Sequence, residues 1–364
     1  MAKLRVGVVG VGHLGKEHAR ILSSFPDVEL VGVADVNASQ ARAVAERCQT
    51  TAYTSANDLV PLVDAACIVV PTSNHARTAR PFLEAGRSLL IEKPLAPTAA
   101  EAELLVDLAW KQGAVLQVGH IERFNPAFLD VQKRPLTCKF IQAERVGLFT
   151  GRALDVGVVF DLMIHDLDLM MTLVGGTVTK VEALGVSVFG QHEDIAHARL
   201  QFSHGCVAVL AASRVARKGQ RRMEIFGPEG CACIDFGQRQ VEYIQPTSRL
   251  TATDVRQLAP ADLATFRERL FADALETQSL DLKEGDQLTA ELRHFLDCVR
   301  QGRTPMVSGV DGLEAVTLAE RIVAAIRFHA WTGDPHGCVG PCDLPAPRGR
   351  LFTPDLPASL PRAA

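Results

Sequence analysis

The sequence predicts an α/β domain followed by an α+β domain that is built on a large antiparallel sheet. Apolar β runs alternate with helical patterns over residues 1–122, which is typical of a parallel sheet with helices on both faces. Over residues 123–333 the β-rich segments follow one another directly, and glycine-containing turns separate several of them. Residues 334–364 are rich in Pro and Gly, so we expect a poorly ordered tail there. The pattern leaves open whether the last helices of the second domain pack back on the first.

The first unit of the α/β domain spans residues 5–35 and carries a glycine motif between two strands. The apolar run Val6–Val9 precedes a G-x-G-x-x-G spacing, a helical pattern follows, and a second β run ends at Asp35. In this motif Gly10 permits a tight turn, Gly12 lets the backbone approach a pyrophosphate, and Gly15 lets the helix pack on the strand. The pyrophosphate would lie at the helix N-terminus, and Asp35 would accept hydrogen bonds from ribose hydroxyls. We therefore predict a Rossmann domain that binds a dinucleotide.

The remaining elements of the first domain place polar side chains just beyond the carboxyl ends of strands. We predict β runs at Val28–Ala34, Ala65–Val70, Ser88–Ile91 and Val115–Val118, and helices at Ser39–Cys48, Ala76–Ala85 and Thr98–Gln112. Three of these β runs lead into Pro71-Thr72-Ser73-Asn74-His75, Glu92-Lys93-Pro94 and Gly119-His120. Open α/β sheets bind their ligands at this edge. The predicted cofactor contacts beyond the glycines and Asp35 are therefore His13, Leu14, Thr72, Asn74, His75, Glu92 and Lys93.

The second domain is predicted from its succession of β segments and from three helical patterns. The β segments cover residues 137–149, 180–189, 196–202, 206–213, 222–226, 231–236 and 240–244, and the helices cover residues 158–173, 286–301 and 312–330. On the first of these helices, Asp161, His165 and Asp168 lie at i, i+4 and i+7 and so share a face. An Asp that accepts a proton from one imidazole nitrogen leaves the other nitrogen free to act as a base. The alternative is an internally satisfied Asp–His pair that supports the domain interface.

Two further side chains are candidates for chemistry at the junction of the domains. Lys93, at the end of a strand near a bound nicotinamide, could hydrogen-bond an alcohol and stabilise negative charge on its oxygen. The alternative is an ordinary surface lysine. Arg123, within Arg123-Phe124-Asn125-Pro126, either binds substrate or ties the domains together.

Five phrases together resemble the Gfo/Idh/MocA oxidoreductases, and the likeness covers nearly everything except the tail. These phrases are GVVGVGHLGKEHA, PTSNHA, EKPL, GHIERFNP and DLMIHDLD. In that family the Lys of the E-K-P element acts with the Asp and His of a D-x-x-x-H helix in sugar or polyol dehydrogenation, which implies these roles for Lys93, Asp161 and His165. Met163 stands where the family usually has Gly, a difference expected to narrow the substrate pocket. Because Asp35 repels a 2′-phosphate, NAD is the expected cofactor.

Within the family, the phrases GHIERFNPAF and VVFDLMIHDLDL are similar to the branch that oxidises the 3-hydroxyl of UDP-N-acetylglucosamine in the lipid A precursor pathway. This likeness implies a nucleotide-sugar substrate and a pyridoxal-phosphate aminotransferase that consumes the 3-keto product. A guanidinium fork suits a diphosphate, and Arg145 also lies near the domain junction. The predicted substrate contacts are Lys93, Arg123, Asn125, Arg152, Asp161 and His165. The alternatives are an inositol or free-sugar dehydrogenase and a dinucleotide-binding regulator without turnover.

Composition excludes several other classes of protein. The formal net charge is −4 and there is no basic run, so we expect no nucleic-acid partner. No apolar stretch approaches the length that a bilayer requires, and we expect a cytoplasmic protein with no membrane contact. The nine cysteines are scattered, which favours free thiols and no metal site. The family habit implies a homodimer or a homotetramer.

Overall fold

The first domain is a parallel sheet with helices on both faces. The computed structural model describes residues 2–151, 155–189, 192–282, 285–331 and 337–340. The strands are β1 Leu4–Val9, β2 Val28–Ala34, β3 Thr51–Tyr53, β4 Ala65–Ile68, β5 Ser88–Glu92 and β6 Leu116–Gly119. The helices are α1 Gly15–Ser24, α2 Ala38–Cys48, α3 His75–Glu84 and α4 Ala99–Gln112. Short 3-10 turns cover Ala56–Leu59, Thr72–Asn74 and Ile121–Phe124.

The order of the strands in this sheet is β3-β2-β1-β4-β5-β6, and all neighbours are parallel. The direction of winding reverses between β1 and β4, which is where an open α/β sheet forms its ligand crevice. β4 is apolar and wholly buried because helices cover both of its faces. Thr98 caps α4, as the sequence predicts, by accepting a hydrogen bond from Glu101 N.

The second domain contains the following elements in chain order. Its helices are α5 Pro126–Gln132, α6 Ile164–Val174, α7 Ser248–Ala252, α8 Pro260–Glu268, α9 Gln287–Gln301 and α10 Gly309–Phe328. Its strands are β7 Phe140–Val146, β8 Val178–Val186, β9 Ile195–Phe202, β10 Val207–Ser213, β11 Gln220–Gly227, β12 Gly230–Asp235, β13 Gln240–Pro246 and β14 Leu275–Asp281. π-helical turns cover Val159–Met163 and Leu270–Ala274, and a 3-10 turn covers Val255–Gln257.

These strands form one sheet in the order β14-β13-β12-β11-β7-β10-β9-β8. The sheet is mostly antiparallel as predicted, but β7 and β10 at its centre are parallel neighbours. Helices α5, α6 and α10 pack on one face, where every second strand residue is buried. The intervening residues face the other side of the sheet.

The last two helices pack against the first domain, which answers the point that the sequence leaves open. Leu292, Phe295 and Leu296 of α9 join the buried cluster beside β1. A Cβ on Gly312 of α10 would lie 2.6 Å from a methyl group of Val118 on β6, so this helix lies very close to the sheet. Of the predicted tail only residues 337–340 are described, and there Val339 accepts a hydrogen bond from Ser187 N at 3.0 Å.

Candidate active site

The glycine turn between β1 and α1 has the geometry that a pyrophosphate requires. Gly10 has a φ of +83°, and a Cβ there would lie 2.5 Å from the Val69 carbonyl oxygen. A Cβ on Gly15 would overlap the Gly10 carbonyl oxygen, so only glycine lets α1 approach the strand this closely. At Gly12 no described atom lies within 4 Å of an added Cβ. The residues present therefore fit a dinucleotide, with free space beside the helix N-terminus.

Asp35 borders the same crevice at the end of β2. One carboxylate oxygen accepts a hydrogen bond from Val11 N at 2.9 Å, and the other accepts one from Asn37 N at 2.8 Å. Each oxygen keeps a lone pair for a ribose hydroxyl. The cavity between these groups and the loop after β4 has a volume of about 590 Å³. Its lining includes two polar side chains that the sequence did not single out, Asn57 on the short turn after β3 and Arg77 on α3.

The other predicted cofactor residues lie at three different depths. His13 and Leu14 are exposed on the glycine turn, and Asn74 lines the cavity while Thr72 lies beside it on the same turn. His75 is 1% exposed, and its ring nitrogens lie 2.8 Å from the Pro94 carbonyl oxygen and 2.9 Å from that of Val70. The prediction of a direct cofactor contact from His75 is therefore wrong, because its ring braces the loops after β4 and β5 from inside.

Glu92 is the last residue of β5, Lys93 begins the turn that follows, and the bond between Lys93 and Pro94 is cis. Glu92 is mostly buried and lies 3.1 Å from Nε2 of His18. Burial opposes its ionisation, but the contact with His18 and the charge of Lys93 hold the pKa of Glu92 below its usual value. A Cβ on Gly119 of β6 would lie 2.9 Å from the Glu92 carboxylate, so Gly119 leaves room for this carboxylate.

Lys93 bridges the two domains. Its Nζ donates to the Asp161 carbonyl oxygen at 2.6 Å and to the Asp161 carboxylate at 3.3 Å. Both side chains are partly exposed, at 17% and 24%. The π-helical turn before α6 therefore holds an acid against the lysine at the edge of the parallel sheet, and His165 follows one turn later on α6.

His165 is a neutral ring at the start of α6. Burial and the charges of Lys93 and Arg145 set its pKa well below the usual value. Its Nδ1 atom is buried and has no hydrogen-bond partner among the described residues, whereas Nε2 keeps solvent access. The expected hydrogen bond from His165 to Asp161 is not formed. The Asp161 carboxylate instead pairs with the ammonium of Lys93, because a charge-assisted bond is stronger than one to a neutral ring.

The arginines at the domain junction correct another expectation. Arg123 donates two hydrogen bonds to Asp168 at 2.8 and 2.9 Å, and Arg145 donates in the same bidentate way to Asp166 and also to Glu122. Both guanidinium groups are at most 6% exposed. Their forks are filled by carboxylates, so the prediction that they hold a substrate diphosphate is wrong, and Arg123 ties the domains together.

Asn125 and Arg152 complete the predicted substrate contacts. Asn125 is fully buried, where its carbonyl oxygen caps α5 through Ala127 N and its amide donates to Glu122. It is therefore not available to a substrate. Arg152 lies outside the described residues.

Two residues near His165 were not assigned a role from the sequence. His120 follows β6, is 1% exposed, and has its ring 6.2 Å from that of His165. Arg221 of β11 is exposed, and no ion pair or side-chain hydrogen bond holds it within the described part of the chain. In the sheet register Arg221 of β11 pairs with Arg145, whose side chain contacts Asp166 of α6. Arg221 is therefore on the face of the sheet that α6 covers. No motif or periodicity in the sequence singles out Arg221.

The described ranges contain no group of three or more His, Cys, Asp or Glu side chains arranged to hold a metal ion. Within the same residues, no helix has the length and apolar character needed to cross a membrane.

Comparisons with known proteins give the family of the chain. Residues 4–120 match the Gfo/Idh/MocA model described as an oxidoreductase family with an NAD-binding Rossmann fold, and residues 151–331 match the C-terminal alpha/beta domain of that family. The chain is 35% identical to UDP-N-acetylglucosamine 3-dehydrogenase of Acidithiobacillus ferrooxidans over 328 aligned residues. The aligned region covers 90% of this chain and 98% of that protein. A solved structure of that enzyme has a TM-score of 0.79 and covers 89% of this chain and 98% of its own. Identity to scyllo-inositol 2-dehydrogenase (NAD(+)) of Bacillus subtilis is 28% over 354 residues, which is 90% of this chain and 94% of that protein.

The family match and the named relatives show that the chain is an NAD-dependent oxidoreductase that acts on CH–OH groups. The chain belongs to the Gfo/Idh/MocA oxidoreductase family, as its five phrases predict. It is a sugar or polyol dehydrogenase of that family.

Proposed function

We propose that the enzyme oxidises the 3-hydroxyl of UDP-N-acetylglucosamine to a 3-keto sugar with NAD. The observation that carries this reaction is the contact of Lys93 with Asp161 one turn before His165, which joins a cation and a neutral ring at the carboxyl edge of the sheet. The identity of 35% to an enzyme of that name, over 98% of its length, supports the choice of substrate.

In this mechanism each residue has one task. Nε2 of His165, the nitrogen with solvent access, accepts the proton of the substrate hydroxyl. Lys93 donates a hydrogen bond to the same oxygen and stabilises the negative charge that develops on it, while Asp161 fixes the position of the ammonium. The nicotinamide of bound NAD supplies the hydride acceptor. The glycine turn and Asp35 hold the cofactor at the edge of the sheet.

Arg221 is the cation that we assign to the diphosphate, in place of Arg123 and Arg145. Its side chain is exposed and has no carboxylate partner in the described residues. Its positive charge also helps to lower the pKa of His165, although burial and the effects of Lys93, Arg145 and His120 on that pKa are larger. A free guanidinium can bond two phosphate oxygens at once. An inositol or a free sugar has no group that needs this charge.

The test is NAD reduction with UDP-N-acetylglucosamine, other UDP-sugars, free hexoses and inositols as substrates. A coupled assay adds an aminotransferase with pyridoxal phosphate and an amino donor, because a reactive 3-keto product accumulates poorly, and mass spectrometry then detects the 3-amino nucleotide sugar. Arg221→Gln should raise the KM for the UDP-sugar roughly tenfold or more. Arg222→Gln is the matched control, because Arg222 pairs with Glu224 on the opposite face of the sheet.

The second candidate is an inositol dehydrogenase, favoured by the 28% identity to scyllo-inositol 2-dehydrogenase over 94% of that protein. Turnover of an inositol or a free hexose, without binding or turnover of UDP-N-acetylglucosamine, would reject the proposed substrate. The assignment of the chain as a dehydrogenase would stand in that case.

A further inference from the structure

A histidine that acts as a base must carry its proton on the nitrogen that does not face the substrate. For His165 this means a proton on Nδ1 and a lone pair on Nε2. Nδ1 is buried, and no acceptor for it lies within hydrogen-bond distance among the described residues. A buried N–H without a partner costs about 1–3 kcal/mol. A ring left in this state would move its proton to Nε2, where it blocks the base.

Asp161 does not supply the missing acceptor. Its carboxylate binds Lys93 at 3.3 Å, and no hydrogen bond joins it to His165 in the described part of the chain. Asp166 and Asp168, the acids on α6, are occupied by Arg145 and Arg123. The carboxylates on α6 and on the turn before it therefore leave Nδ1 of His165 without an acceptor.

His120 is the polar group that meets this need. Its ring stands edge-on to that of His165, with an interplanar angle of 89° and 6.2 Å between the ring centroids. It is 1% exposed, and both of its nitrogens are buried without a partner among the described residues. The groups whose charges act on it are Asp168, Arg123, Lys93 and Glu92, and burial lowers its pKa, so the ring is neutral and keeps one lone pair.

The distance between the rings decides how the two could be joined. Two imidazoles in a direct N–H···N bond have centroids about 5 Å apart. The observed 6.2 Å requires either a small rotation of one ring or one bridging water. His120 N donates to the Val118 carbonyl oxygen at 2.8 Å, which fixes the backbone from which the ring extends.

We propose that His120 is a positioning residue, which accepts the Nδ1 proton of His165 directly or through one water and thereby keeps Nε2 free as the base. The role rests on the proposed function of His165. The substrate proton still goes to Nε2, and the resulting imidazolium is then held by His120 on its far side. His120 itself forms no bond to the reacting atoms.

The test reads the tautomer of His165 in the full-length protein by ¹⁵N NMR of labelled histidine, with the signal assigned through His165→Ala. We expect protonated Nδ1 in the wild type, protonated Nε2 in His120→Leu, and protonated Nδ1 again in His120→Asn, whose amide oxygen can accept. His294→Asn is the matched control, because His294 is bound to Met306 N away from this cluster and should leave the tautomer unchanged.

Kinetics give the second readout. His120→Leu should lower kcat roughly 10- to 1,000-fold with KM little changed, and the Asn variant should recover most of the rate. This loss of kcat is smaller than the loss that the wrong histidine tautomer causes in a serine protease. Protonated Nε2 in the wild type overturns the proposal even if the Leu variant does not fold. A rise in KM alone also overturns it, because His120 would then bind substrate. Failure of the base role itself has a different signature, which is normal turnover in His165→Ala.

Discussion

Lys93 and His165 are linked through charge as well as through position. The ammonium of Lys93 is, after burial, the largest cause of the low pKa of His165, because a nearby cation disfavours the imidazolium. His165 is therefore neutral at pH 7 and is protonated only in acid. In the proposed mechanism, the cation that stabilises the substrate oxygen therefore also keeps the base in its reactive form.

Replacement of Lys93 by Met should lower kcat by roughly a hundredfold or more. It should also raise the pKa of His165, so the acid limb of the kcat profile should move to higher pH.

His165→Ala should show a similar loss of kcat while cofactor affinity, measured by NADH fluorescence titration, is retained. Lys111→Met, on an exposed lysine at the end of α4, is the control. A near-normal rate in either variant would remove that residue from the mechanism.

Asp35 should make the enzyme prefer NAD over NADP. Its two oxygens are held by Val11 N and Asn37 N, so the carboxylate cannot turn away from a 2′-phosphate. Arg77 lines the same cavity but donates to Asn74 at 3.0 Å. The ratio of kcat/KM for the two cofactors measures the preference, and Asp35→Ala should reduce it. Equal or better turnover with NADP in the wild type would contradict this prediction.

At the scale of elements, the sequence predicted what periodicity and turn chemistry determine. The glycine turn, the cap of α4 by Thr98, and the strand that leads into Glu92-Lys93 follow from local rules. The partners of the charged side chains on α6 do not. Spacing places Asp161 and His165 on one face, but the competing cation comes from residue 93, and only the tertiary structure brings it there. His120 was missed for the same reason, since its neighbour lies on another element.

Glu291 on α9 is a buried acid that the mechanism does not use. It is fully buried, and neither carboxylate oxygen has a partner among the described residues. Burial and the charge of Glu92 raise its pKa well above the usual value. The folded chain therefore holds this proton while the unfolded chain loses it near pH 4.5. Its contribution to stability is full below that pH and declines as the pH rises.

Glu291→Gln should therefore stabilise the protein at pH 8, by roughly 1 kcal/mol or more, and have little effect at pH 4. Amide and protonated acid are similar in shape, so the packing of α9 is retained. Urea unfolding at the two pH values measures the difference. Glu103→Gln, on an exposed side chain of α4, should have no comparable pH-dependent effect. An equal effect of the Glu291 change at both pH values would mean that ionisation is not the cause.

For the whole molecule, the outer face of the large sheet carries an apolar row. Strand register aligns Val207, Phe140, Phe226, Cys231 and Ile244 across five neighbouring strands, which are β10, β7, β11, β12 and β13 in spatial order. The rings of Phe140 and Phe226 lie 5.7 Å apart, and Phe226 is 37% exposed. Helices α5, α6 and α10 pack on the opposite face. A row of this kind is costly to leave in water.

We predict that this row is buried against a second copy of the chain in a symmetric dimer, alone or within a tetramer. A two-fold axis would place the row against itself, which is how most homodimers are built. Multi-angle light scattering at micromolar concentration should give at least twice the monomer mass. Phe226→Glu should shift the mass toward the monomer, because it introduces an unpaired charge into a buried row. Leu104→Glu, on a side chain of α4 that is 68% exposed, should leave the mass unchanged. A monomeric wild type would contradict the prediction, and a dimer that tolerates Phe226→Glu would place the interface elsewhere.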